Sequence, residues 1–188
     1  MNLDQGWRLR LAVLSTLVRQ APQKPGRTAL MKFAYLLQTV KGVPLGYRFE
    51  LYNYGPYDSA VLSDLSQAES LRAIKLQTVS YQSGSGYEYS PIDKGCNALC
   101  SQVADQLAPH SASIKWVLDE FGGASASRLE LISTIVFAER EMRRKKQSPE
   151  KTELCRRVKR IKPHFTDAMI AETTDELSSK QLISIVLA

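Results

Sequence analysis

Residues 47–65 read YRFELYNYGPYDSAVLSDL, and the change of period in the middle of this stretch decides how the rest of the chain is read. Up to Asn53 the side chains alternate. Tyr47, Phe49 and Leu51 face one way and Arg48, Glu50 and Tyr52 the other, which is the period of a strand. After Asp58, Val61, Leu62 and Leu65 recur at helical spacing. Between the halves, Gly55 permits a tight bend and Pro56 fixes φ and ends the strand. Asp58 or Ser59 then caps the next helix. The expectation is strand, bend at Tyr54-Gly55-Pro56-Tyr57, helix.

Working outward, two helices are expected ahead of this strand, over Trp7–Gln20 and Thr28–Thr39, joined by the loop APQKPGR. Behind it, IKLQTVSY and GYEYS flank QSGSG and read as a β-hairpin with a flexible tip. Helix, helix, strand, helix, hairpin is the order of a winged-helix domain. From there the chain reads as helical throughout. One helix is expected over Ile92–Leu107, and a short one around Ile114–Phe121 is stopped by Gly122 and Gly123. Ser127-Arg-Leu-Glu130 has the form of a capping box, and Ser148-Pro149-Glu150 places proline at a first helical position. Thr166 caps a further helix, with Phe165 stapling onto Ile170, and LISIVLA ends the chain as a strand or a helical turn. The predicted class is mainly α (α+β). A winged-helix-like domain with a small β-sheet spans 1–91, and an all-helical extension spans 92–188.

Composition narrows the function classes. The 188 residues are 44% hydrophobic and 23% charged, ordinary for a globular chain. No apolar run approaches the roughly 20 residues that span a bilayer. The opening MNLDQGWRLRLAVLSTLVRQ has a short apolar run followed by Arg19 and Gln20, so it reads as a buried helix of a cytoplasmic protein rather than a leader. Three cysteines cannot build a disulfide framework. Cys96 and Cys100 share a helical face with Ile92, Leu99, Val103 and Leu107, and are expected to act as small buried hydrophobes. With His110 and His164 far away in sequence, neither a metal site nor a cofactor site is expected.

The net charge of +6 is local in origin. Residues 143–162 hold ten Lys and Arg against Glu150 and Glu153, a balance of +8 that leaves −2 for the remainder. On a helix starting at Ser148, Leu154, Val158 and Ile161 mark the expected buried stripe. Arg156, Arg157, Lys159 and Arg160 then project outward, joined by Arg143, Arg144, Lys145 and Lys146. Such a surface fits a phosphate backbone, an acidic protein or solvent alone.

Met31-Lys-Phe-Ala-Tyr-Leu-Leu37, followed by Tyr47-Arg-Phe-Glu-Leu-Tyr-Asn-Tyr-Gly-Pro-Tyr57, resembles the YwgA-like bacterial proteins. More distantly it is similar to the Panacea or SocA-like antitoxin proteins. Leu129-Glu-Leu-Ile-Ser-Thr-Ile and Val158-Lys-Arg-Ile-Lys-Pro-His-Phe resemble the YwgA-type C-terminal half, so the likeness spans most of the chain. It implies a winged-helix derivative with added helices, a role in partner binding and no catalytic residues. The long basic segment departs from the Panacea pattern.

The residues themselves carry no phosphate-binding G-x-x-x-x-G-K-[ST], no H-E-x-x-H and no G-x-S-x-G. The helix before the expected wing carries Asp58, Asp64 and Glu69 against Arg72, a poor charge balance for a major-groove reader. The leading expectation is a non-enzymatic protein-interaction module: an adaptor, an antitoxin-like protein or an assembly subunit. Its partner would be a specific protein, such as the product of a neighbouring gene, and it would use Tyr52, Tyr54 and Tyr57. Homo-oligomers are compatible with this, and no membrane partner is expected. The alternative is a nucleic-acid-binding or transcriptional regulatory protein using the basic segment.

Overall fold

The computed structural model describes residues 3–81 and 84–186. Among the described residues the chain is mainly helical, with two small two-stranded sheets. Its elements are α1 (Leu3–Gln20), α2 (Arg27–Lys41), β1 (Glu50–Tyr52), β2 (Gly55–Tyr57), α3 (Ser59–Ser70), β3 (Ile74–Tyr81), β4 (Gly84–Pro91), α4 (Asp93–Ser101), α5 (Ala104–Leu107), α6 (Ser111–Phe121), α7 (Ala126–Arg144), α8 (Lys151–Ile161) and α9 (Asp167–Ser179), with a 3-10 turn over Ala108–His110. Among the described residues no helix is long and apolar enough to cross a membrane.

These elements group into two compact units. One takes the chain up to Glu50 together with Tyr57–Ala124, and the other takes Leu51–Pro56 together with the chain from Ser125. This grouping differs from the 1–91 and 92–188 division read from the sequence, because α4 and α6 pack with α1, and α6 also with α2. The element order α1, α2, α3, then the β3–β4 hairpin is the one anticipated, with the extra hairpin β1–β2 inserted before α3.

In the first unit α1 is buried nearly all round, with Leu11, Ala12, Val13, Leu14 and Leu17 fully enclosed. α2 is buried without interruption from Leu30 to Leu37, Lys32 included. The alternation read over 47–53 holds as burial: Tyr47 is buried, Phe49 and Leu51 are half-buried, and Arg48, Glu50 and Tyr52 are exposed. As a ladder it is much shorter, because only Glu50–Tyr52 pairs with another strand. Tyr47 finds its backbone partners in a side chain instead. Gln38 donates Nε2 to its carbonyl at 2.8 Å and accepts its N–H on Oε1 at 2.9 Å. A primary amide offers the same donor and acceptor as a peptide group, so it stands in for a neighbouring strand.

The bend also moves. It lies at Asn53-Tyr54, and Gly55-Pro56-Tyr57 is the returning strand β2 rather than the turn itself. α3 starts as expected, with Asp58 accepting the Ala60 N–H at 2.8 Å, and the same carboxylate accepts the Arg48 N–H at 2.6 Å. One side chain thus caps a helix and closes the base of the hairpin. β3 and β4 pair antiparallel from Ile74 opposite Pro91 to Tyr81 opposite Gly84. Gln82 and Ser83 of the expected QSGSG tip lie outside the described residues.

Further along, the helix expected over Ile92–Leu107 is broken into α4 and α5. Gly122 closes α6, as its position predicted. The second unit is built from α7, α8 and α9, which all pack on one another. Three helix starts there are corrected or sharpened. The cap of α7 is Ser125, accepting from the Arg128 N–H at 3.1 Å, and not Ser127, which lies inside the helix, so the capping-box reading fails. α8 starts at Lys151, two residues later than the proline-led start expected. Thr166 does cap α9, accepting the Met169 N–H. In the closing LISIVLA, Leu182 and Ile183 are buried and Val186 makes one parallel bridge to Glu150, while Leu187 and Ala188 lie outside the described residues.

Candidate functional site

The hairpin tip is the feature to which the sequence pointed, and its placement is decided by α7 and α8. Among the described residues Tyr52 and Tyr54 are the most exposed large hydrophobic side chains, at 62% and 69%, whereas Tyr57 is half-buried. Beneath them the backbone is fixed within the second unit. Lys162 follows the last turn of α8, is 2% exposed, and donates Nζ to the carbonyl oxygen of Asn53. The same Nζ lies 2.6 Å from Glu130 Oε1 on α7, an ion pair without the alignment of a hydrogen bond. His164, largely exposed, brings Nε2 to 3.7 Å from that oxygen.

Gly55 completes the seat. Its φ is +87°, and a Cβ there would come within 2.9 Å of Thr134 Oγ1 and 3.3 Å of Ser133 Oγ. The position therefore excludes larger residues by backbone conformation and by space alike. Thr134 Oγ1 is buried without a hydrogen-bond partner among the described residues. This seat was missed in the sequence. In the sequence Lys162 is one charge of the basic stretch 143–162 and Ile161 belongs to the expected buried stripe, but Ile161 is half-buried and Lys162 is enclosed. A lysine one residue beyond an apolar stripe gives no signal until its partner Glu130 is known.

The acids used against a groove-reading α3 turn out to have internal work. Asp64 is 4% exposed, accepts from Arg10 Nε at 2.6 Å, and accepts from the Tyr47 hydroxyl at 2.8 Å. Burial and the neighbouring Asp64 carboxylate push the Tyr47 phenol far upward, so it stays protonated and donating. Burial is the largest single influence on Arg10 and pulls it down, but the hydrogen bond and charge of Asp64 together with Tyr47 outweigh it, so its basicity is raised. Glu69 accepts the Leu76 N–H at 3.0 Å, and Asp58 is the cap. The outward face of α3 is instead Ser59, Ser63, Ser66, Gln67 and Ser70, all uncharged.

The basic segment is likewise more engaged than its sequence implied. Arg143 is paired with Glu139 and donates to the Ser184 carbonyl at 2.9 Å, and Arg144 grips Glu141 with two N–H groups at 2.8 and 2.9 Å. Arg156 and Arg157 each donate Nε to Glu153 at 2.8 Å, while Arg160 stands 3.9 Å away from the same carboxylate. Lys159 donates to the Phe165 carbonyl at 2.7 Å. Lys145 and Lys146 lie exposed just after α7. By compact unit, the second holds thirteen Lys and Arg against nine Asp and Glu, a net +4, and the first holds twelve against ten, a net +2. The +8 and −2 contrast along the sequence is thus flattened once the acids of α7 and α9 join their own unit.

The cysteine face is mixed. Cys96 is fully buried, as expected, but Cys100 is half-exposed and lies 3.5 Å from the Thr16 hydroxyl. The hydrogen bond from Cys96 holds the Cys100 thiol well below its usual range, at about 6, and raises Cys96 correspondingly. Among the described residues no three His, Cys, Asp or Glu side chains gather closely enough to hold a metal ion. Compared with protein-family models and with curated proteins, the chain matches none.

Proposed function

We propose that the chain is a non-enzymatic protein-interaction module, with the Tyr52–Tyr57 hairpin as its contact edge. The observation that carries this is the pairing of Tyr52 and Tyr54, both more than half exposed, with a backbone pinned by Lys162 and Gly55. Tyrosine presents a large apolar ring and a hydroxyl with few torsions to freeze, and a pinned turn lowers the ordering cost of binding further. The resemblance to YwgA-like and Panacea or SocA-like proteins supports the same reading: a winged-helix derivative in a cytoplasmic adaptor, antitoxin-like or assembly role. The test is co-expression with the product of the neighbouring gene, followed by size-exclusion chromatography. Co-elution that is lost in the Tyr52→Ala/Tyr54→Ala double variant is the expected result. Co-elution untouched by that variant would remove the hairpin from the interface.

A second reading, nucleic-acid contact through Arg143, Arg144, Lys145, Lys146, Arg156, Arg157, Lys159 and Arg160, is favoured by one observation. Three guanidiniums share the single carboxylate of Glu153, which leaves cationic excess on α8. Mobility shifts at several salt concentrations test it, with charge reversal at Arg156 and Arg157 expected to abolish any shift.

A further inference from the structure

The second unit contains a cleft of about 350 Å³ between α7, α8 and β1. Its floor is apolar, made by Leu51, Phe137, Ala138 and Ile161. Its rim is charged, with Lys145, Arg157, Arg160 and Glu141. That volume is at the lower end for small-molecule sites, which typically combine apolar walls with a few polar groups that orient the ligand.

The sign of the rim follows from its partners. Glu141 is already spanned by Nε and Nη2 of Arg144, and this contact holds its carboxyl below the ordinary range. Its charge is therefore answered mainly from outside the cleft, by Arg144, with a smaller share from Lys145. Arg157 and Arg160 share Glu153 with Arg156, so one carboxylate faces three guanidiniums. Arg157 engages Glu153 through Nε, and a guanidinium carries four further N–H donors. Lys145, exposed at the end of α7, adds a third cation. An apolar floor under a rim with surplus positive charge matches one kind of occupant better than either a neutral apolar molecule or a bare polyanion.

We propose that this cleft binds a small amphipathic anion: an apolar ring or short chain carrying one carboxylate, sulfonate or phosphate. The apolar body rests on Leu51, Phe137, Ala138 and Ile161, and the anionic group is held by Lys145, Arg157 and Arg160. The site is separate in kind from a nucleic-acid surface, because a phosphate backbone requires no apolar floor.

Calorimetric titration of the full chain with 2-naphthalenesulfonate tests this, with 2-naphthalenemethanol as the neutral counterpart and inorganic phosphate as the anion without an apolar body. One-site saturable binding is expected for the sulfonate, with both comparators at least ~10-fold weaker. The Lys145→Ala/Arg160→Ala double variant removes two exposed cations without touching the buried core, and is expected to weaken the sulfonate by ~10-fold or more. A control pair, Lys94→Ala/Lys115→Ala, removes equal charge elsewhere and should leave the affinity within about 2-fold. The proposal is overturned by absence of saturable binding, by equal affinity for the neutral counterpart or for phosphate, or by equal losses in the two double variants.

Discussion

The two hairpins of this chain reach order by different routes. β3–β4 pairs eight residues with eight, so its ladder supplies most of its own backbone partners. β1–β2 has three-residue strands. Two-stranded hairpins are marginal by themselves, and one this short has too few ladder bonds to offset the entropy of closing its turn. Its order comes from outside: Asp58 closes the base, Lys162 holds the Asn53 carbonyl, and α7 leaves room at Gly55 for nothing larger. A long hairpin tolerates local change, while a short one depends on a few distant groups.

The largest expected effect breaks the short hairpin alone. Lys162→Met leaves Glu130 buried without its counter-charge and frees the Asn53 carbonyl, for an expected cost of about 3–5 kcal/mol. Urea unfolding measures the cost, and hydrogen exchange should show faster amides over 51–57 with β3–β4 unchanged at equal global stability. Adding Glu130→Gln to Lys162→Met should recover part of the loss, because the stranded charge is then absent. If the double variant is as unstable as the sum of the singles, the ion pair is not what seats the tip.

Next in size, Gly55→Ala is expected to cost about 1–3 kcal/mol, from positive φ and the close approach of Thr134. Shortening Thr134 to Ala in the same chain should relieve the steric share and leave the conformational share, separating the two causes by thermal melting. On the long hairpin, Arg27 lies 3.8 Å over the ring of Tyr87. Arg27→Ala should cost only about 0.5–1 kcal/mol, since the ladder remains. A loss there as large as that of Lys162→Met would erase the contrast between the hairpins. Smallest of all, Tyr54→Ala is expected to change stability by less than about 0.5 kcal/mol while weakening partner binding.

Legibility in the sequence followed the range of the forces involved. The positions of α1, α2, α3 and α6, the Asp58 and Thr166 caps and the Gly122 stop were readable because each depends on residues within one turn. The alternation over 47–53 was readable as a burial pattern, yet not as a ladder, because pairing is a property of two segments and Gln38 had already taken Tyr47. The capping box at Ser127 misled because Ser125, two residues earlier, offered the same chemistry. Charge misled most. Asp64 looked like a surface acid and is sealed against Arg10 and Tyr47, while Lys162 looked like a surface base and is sealed against Glu130.

By itself, then, the sequence determined the mainly helical class, the β3–β4 hairpin and the exposure of Tyr52, because periodicity and turn chemistry are written locally. Only the tertiary structure decided which charges face solvent, how the tip of β1–β2 is held and where an apolar floor meets a cationic rim. A buried charge requires a partner brought from far along the chain, Glu130 for Lys162 and Arg10 for Asp64, and no local pattern names that partner.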